Sequence, residues 1–139
     1  MLARLVVAGA LAAAGAACMT GTSNPGLMPV PGTPTPKTEV FTGTVAAGAQ
    51  TLFSFNVTNV GDLNVTLSAA SPPSGVVMRI GLGLGTINLC NFQILKDTAA
   101  GDTPQITASQ VPSAVYCVGV GDIGNATGPV TFTLTVVHT

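Results

Sequence analysis

The sequence predicts an all-β chain: an antiparallel β-sandwich, jelly-roll-like and of about eight strands, carried behind an export signal and a proline-rich tether. The first observation is side-chain character that alternates with period two. Phe53, Phe55 and Val57 interleave with Ser54 and Asn56, Leu63, Val65 and Leu67 with Asn64 and Thr66, and Val130, Phe132, Leu134 and Val136 with Thr131, Thr133 and Thr135. That spacing puts one set of side chains in a core and the other in water, as half-buried strands require. The second is punctuation: Gly48, Gly61, Gly75, Gly101 and the run from Gly124 to Pro129 fall between the alternating segments, where turns are needed. The third is that no helix-period stretch follows the amino-terminal apolar run, which argues against a βαβ fold.

Taken in order, the chain reads as three parts: residues 1–17, 18–38 and 39–139. Arg4 precedes an unbroken run of Leu, Val, Ala and Gly over residues 5–17, which ends in small residues at Cys18. This is the layout of a signal peptide, since a bilayer core needs about 20 apolar residues to be spanned. Gly15-Ala16-Ala17-Cys18 resembles a bacterial lipobox, with glycine where leucine is usual, and that resemblance implies a lipidated Cys18. Ala14-Gly15-Ala16 can instead serve as an ordinary A-x-A cleavage site, so lipidation and plain secretion both stand. Cysteine arithmetic favours the lipid: the 3 cysteines of an exported chain cannot all pair internally, and a lipid at Cys18 accounts for the odd one. With Met19 rather than aspartate after the cysteine, the lipoprotein reading implies the outer membrane, with the periplasm or cell surface as the broader expectation.

Residues 19–37 hold prolines at 25, 29, 31, 34 and 36, which exclude helix and sheet. Such a spacer is semi-extended, at about 3 Å per residue where polyproline-like. The sandwich then takes residues 39–139. Besides the alternating runs above, strands are expected at residues 39–45, 90–95 and 105–111. Two more carry glycine in place of bulk on one face: Met78, Ile80, Leu82 and Leu84 around Arg79, Gly81 and Gly83, and Tyr116, Val118 and Val120 around Cys117, Gly119 and Gly121. In an oxidising compartment Cys90 and Cys117 are expected to join, closing a loop of about 27 residues for roughly 3–4 kcal/mol.

The run from Ala114 through Tyr116, the glycines 119, 121 and 124, and the threonine-alternating end at His138 resembles the close of bacterial pre-peptidase C-terminal domains and related small lipoproteins. Phe41-Thr42-Gly43-Thr44-Val45, residues 51–57 and residues 61–67 are similar to the opening of the same pattern, so the resemblance spans nearly all of the chain after the tether. The Cys90 and Cys117 pair departs from the common pattern and is shared with the lipoprotein-like members. The resemblance implies a jelly-roll sandwich that assists secretion, attachment or stability without catalysing anything.

Composition excludes several functions. With 6% charged residues there is no cluster of Lys and Arg to displace counterions, so no nucleic-acid partner is expected. His138 is the sole histidine and is expected to end the last strand in solvent, which leaves Ser or Cys nucleophiles without a base. Gly119-Val120-Gly121-Asp122-Ile123-Gly124 spells G-x-G-x-x-G, but a hairpin rather than a helix follows it, so no pyrophosphate site forms. No cofactor is expected. Asp97, Asp102 and Asp122 are weak calcium candidates if their loops meet; solvated turn acids are the simpler reading. Asn56, Asn64 and Asn125 begin N-x-T sequons that fit alternating polar residues facing water.

The expected function is therefore that of a non-catalytic cell-envelope lipoprotein. Its sandwich binds or scaffolds an envelope protein or polysaccharide while a lipid on Cys18 holds it to the membrane. The alternative is a structural subunit of a fimbria-like or filamentous assembly, which low charge favours by weakening repulsion between copies. The proline-rich spacer is unsuited to strand donation.

Overall fold

The computed structural model describes residues 32–139. The expected signal sequence, Cys18 and the spacer up to residue 31 lie outside the described residues. Residues 33–139 form one compact unit.

Eight strands follow one another: β1 (Lys37–Val45), β2 (Gln50–Val57), β3 (Gly61–Ser71), β4 (Met78–Thr86), β5 (Leu89–Thr98), β6 (Ile106–Val111), β7 (Ala114–Asp122) and β8 (Val130–His138). They pair, all antiparallel, in two four-stranded sheets of order β1-β8-β3-β6 and β2-β7-β4-β5. Consecutive strands mostly lie in opposite sheets, which is the double Greek-key wiring of a jelly roll. The first strand begins at Lys37, two residues before the expected boundary, because Lys37 and Thr38 still pair with His138 and Val137.

Period-two burial builds the core as the sequence implied. Leu63, Val65 and Leu67 from β3 and Val130, Phe132, Leu134 and Val136 from β8 face Met78, Ile80 and Leu82 from β4 and Val118 and Val120 from β7. An aromatic row crosses between the sheets: Phe41 stacks on Phe53 at 4.8 Å, and Phe53 meets Phe132 edge-on at 6.1 Å. Such offset and edge contacts suit the ring quadrupoles. A bulge between Leu67 and Ala69 interrupts β3. There the Leu67 amide donates to Oε1 of Gln105 at 2.7 Å, and the Gln105 side-chain Nε2 donates to the Leu67 carbonyl, so backbone groups of β3 opposite the residues before β6 stay paired.

The last strand corrects one expectation. His138 is not in solvent but 2% exposed, because it continues the inward series of β8 past Val136. Its Nε2 lies 3.1 Å from Oε1 of Glu39 and its ring 5.3 Å from that of Phe55, while Nδ1 has no partner among the described residues. Lys37 pairs with His138 across the β1–β8 ladder and donates to the same Glu39 carboxylate at 2.7 Å.

Candidate functional site

The outer face of the β2-β7-β4-β5 sheet carries the features that the inner face does not explain. Register sets its outward residues in rows across the four strands: Gln50, Gly121, Arg79 and Asp97; then Leu52, Gly119, Gly81 and Leu95; then Ser54, Cys117, Gly83 and Phe92. The two central strands thus present glycine at four of these six positions, and a trench runs between walls supplied by β2 and β5. The sequence showed these glycines as one face of two alternating strands; what rests on them is a matter of tertiary structure.

Two things rest on them. A Cβ on Gly81 or Gly119 would meet the ring of Phe92, at 2.5 Å and 2.8 Å respectively, so Phe92 reaches from β5 across β4 to β7 and lies in the trench. A Cβ on Gly83 would lie 2.2 Å from the carbonyl oxygen of Asn91, and one on Gly85, whose φ is +122°, would lie 2.0 Å from that of Leu89. The start of β5 therefore rolls over β4 toward β7, and only glycine permits so close an approach of two backbones. The disulfide between Cys90 and Cys117 secures this overlap, bridging β5 to β7 with the Cα atoms 5.8 Å apart. The bond expected from cysteine spacing is present, and it spans an intervening strand.

Pinned in this way, the β4–β5 hairpin holds up an apolar tip. Leu89 is 80% exposed and Ile87 52%. The ends of β2 and β4 and the start of β7 lie at the same end of the sheet, where Val60 and Val115 are 58% and 42% exposed. Residues 56–60, 86–92 and 112–115 contain no charged side chain. Exposed aliphatics with no charge among them thus gather at this end of the sheet. The exposed Leu and Ile of this turn were not singled out by sequence reasoning, because a solitary aliphatic residue beside a turn has no periodic signature.

The other end of the trench holds the charges. Arg79 donates from Nε and Nη2 to the two carboxylate oxygens of Asp97 at 2.6 and 2.7 Å, a bidentate pair. Hydrogen bonding to Arg79 holds the Asp97 carboxyl below its ordinary value. Asp122 accepts from the backbone amides of Gly48 at 2.8 Å, Ala126 at 3.1 Å and Asn125 at 3.2 Å, tying the β1–β2 turn to the β7–β8 loop. Asp102 is exposed in the connection after β5. The three aspartates are thus not brought together: one is bound to an arginine, one organises turns, and one faces water. Among the described residues no group of three or more His, Cys, Asp or Glu side chains is placed to hold a metal.

Asp122 has a measurable consequence. The Gly48 amide above all, with the amides of Ala126, Gly124 and Asn125, lowers its pKa from the ordinary 3.8 despite the opposing effect of desolvation. A carboxylate with a depressed folded-state pKa contributes stability that is complete above the unfolded value and disappears as pH falls through the folded one. The melting temperature of the wild-type chain is therefore expected to fall more steeply between about pH 5 and pH 3 than that of Asp122→Asn, which has no charge to lose. Asp97 and Glu39, also lowered, act equally in both proteins and cancel in the comparison. Parallel melting curves over that range would assign the turn's stability to something other than this carboxylate.

No family model matches the chain, and no curated protein matches it. A solved structure does. The fold is similar to that of Aeromonas hydrophila PliG, a periplasmic lysozyme inhibitor of g-type lysozyme, with a TM-score of 0.50 over 71% of this chain and 83% of that one, at 12% identity. At that identity the likeness is one of fold, and function has to be argued from the site.

Proposed function

We propose that the chain is an exported, non-catalytic binding module of the cell envelope that engages a protein partner through its pinned β4–β5 hairpin. The observation that carries this reading is Leu89, 80% exposed at the tip of a hairpin whose base is locked by the Cys90–Cys117 disulfide. An apolar protrusion pre-ordered by a covalent bond loses little entropy on docking, which is what makes such a residue an effective anchor. Export is supported by the disulfide, since oxidising compartments are where such bonds persist, and by the apolar run before Cys18. The absence of catalysis in this reading rests on geometry: the imidazole of His138 is buried against Glu39, and the carboxylates of Asp97 and Asp122 are committed to Arg79 and to backbone amides. The fold of a periplasmic inhibitor is compatible with a module that works by contact alone. The resemblance to pre-peptidase C-terminal domains and a lipid on Cys18 complete the proposal, with the outer membrane as the place of attachment.

The experiment is a comparison of the full chain with Leu89→Ser, each immobilised and exposed to an envelope extract and, separately, to purified g-type lysozyme as a defined probe. Serine at an exposed tip leaves stability within about 0.5 kcal/mol of wild type. A protein held by the wild-type chain and released at least about tenfold more readily by Leu89→Ser is the expected result, as loss of a central anchor costs more than about 1 kcal/mol. Equal retention by both chains, or no retention by either, refutes the hairpin as the docking element.

A further inference from the structure

We infer that the glycine-floored trench is a second binding site, distinct from the hairpin tip, and that it takes a ring of a neutral carbohydrate. The space lies over Gly81, Gly119 and Gly121, encloses about 300 Å³, and is bounded by Gln50, Arg79, Phe92, Leu95 and Asp122. That volume is at the lower end of small-molecule sites. Phe92 and the disulfide behind it close the trench toward the hairpin, whereas the turn at Gly48 leaves its far end open. A polymer would therefore enter by its terminal unit.

The chemistry of the lining selects the ligand by elimination. The lining holds one cation, Arg79, and one anion, Asp122, and the cation is already paired with Asp97 on β5. An anionic ligand meets the Asp122 carboxylate and finds the guanidinium already engaged on two nitrogens by Asp97. A metal ion lacks a cluster of three ligands among the described residues. A wholly apolar guest would cover Nη1 of Arg79, the Gln50 amide and the unused lone pairs of Asp122 without replacing their water, and each polar group so stranded costs free energy. What satisfies the lining is a neutral molecule with an apolar face and a polar circumference. A pyranose ring has that form: its axial C–H groups suit the Phe92 ring and the Leu95 side chain, which cover Gly81, and the open backbone at Gly121, and its hydroxyls reach donors and acceptors at the rim. The electron-rich face of an aromatic ring attracts such C–H groups.

The conspicuous glycines then have a use beyond folding. Gly121 is informative because the close approach of β5 does not rest on it: the atoms nearest a Cβ there belong to Gln50, from 3.2 Å, and to the Ala49 carbonyl at 3.6 Å. Gly121→Val fills the trench with a strand-favouring residue. Gln50→Ala removes a rim amide from an exposed position.

The full chain, Gly121→Val, Gln50→Ala and Leu89→Ser are to be tested for retention on cellulose, chitin and purified peptidoglycan, and by calorimetry with soluble cellohexaose and chitohexaose. Retention of the wild-type chain on at least one neutral glycan is expected, at least tenfold weaker for Gly121→Val and at least threefold weaker for Gln50→Ala, with Gln50→Ala melting within ~3 °C of wild type. Leu89→Ser is expected to hold the glycan as wild type does, which separates this site from the protein-binding tip. Failure of the wild-type chain to hold any of the glycans overturns the inference. Undiminished binding by both trench variants does the same, as does stronger retention on an acidic polymer such as polygalacturonate.

Discussion

Replacing Cys90 and Cys117 together by alanine is expected to lower the melting temperature by roughly 15–25 °C. The bond closes a loop across a sequence separation of 27, for which loss of unfolded-chain entropy is worth about 3.5 kcal/mol. In a domain of this size each kcal/mol moves the midpoint by about 4–8 °C. The effect is large because the core is small: residues 33–139 bury a modest share of their surface, and a covalent tie supplies a sizeable fraction of a net stability of about 5–15 kcal/mol. A second consequence is local. The overlap of β5 on β4 needs the disulfide on one side and the bare backbones of Gly83 and Gly85 on the other. With the bond removed, β5 can relax into an ordinary flat pairing, lifting Phe92 from the trench and re-aiming Leu89. Thermal melts of the wild-type chain with and without reductant, alongside the double variant, measure the first effect. Hydrogen exchange of the Leu89 and Cys90 amides reads the second. A shift below about 5 °C would mean that the packed sheets, rather than the cross-link, maintain the fold.

Phe132→Ala is expected to cost about 3–5 kcal/mol, the range for removing a fully buried aromatic ring. Phe132 is 1% exposed, meets Phe53 edge-on, and lies over Gly43, where a Cβ would come within 3.1 Å of the ring. A cavity there cannot collapse easily, because β1 and β8 are held by a ladder from Lys37 to Val45. Thr131→Ala, one position earlier and exposed, is expected to stay within about 0.5 kcal/mol of wild type. Urea unfolding of the two variants tests the two-residue burial period directly. Similar losses at both positions would contradict a strand with one dry and one wet face.

Much of this architecture was legible before any coordinates. The alternation in β2, β3 and β8, and the glycine-spaced alternation in β4 and β7, marked those strands and their buried faces because neighbouring side chains on a strand point to opposite sides. Turn glycines separated them, and two cysteines within the expected sandwich left one internal pairing once Cys18 was set aside. His138 was misread although its signal was present: it stands two residues after Val136 in the same inward series, and terminal position was given more weight than period. Asp97 and Asp122 lie at the surface, as solvated acids do, and in addition Asp122 binds three backbone amides and Asp97 an arginine. The Asp122–Gly48 and Asp97–Arg79 contacts link residues 74 and 18 apart in the chain, so local pattern does not record them.

Sequence alone therefore determined the all-β class, the number of strands, which face of most strands is buried, and the cysteines available to pair, since each follows from short-range alternation or from residue type. Tertiary structure alone decided the strand order β1-β8-β3-β6 and β2-β7-β4-β5, the overlap of β5 on β4, the trench, and the exposed Leu89 tip. The physical reason is that these depend on which strands meet across long separations and on how closely two backbones approach. A glycine in the text permits such an approach without saying what will fill the space.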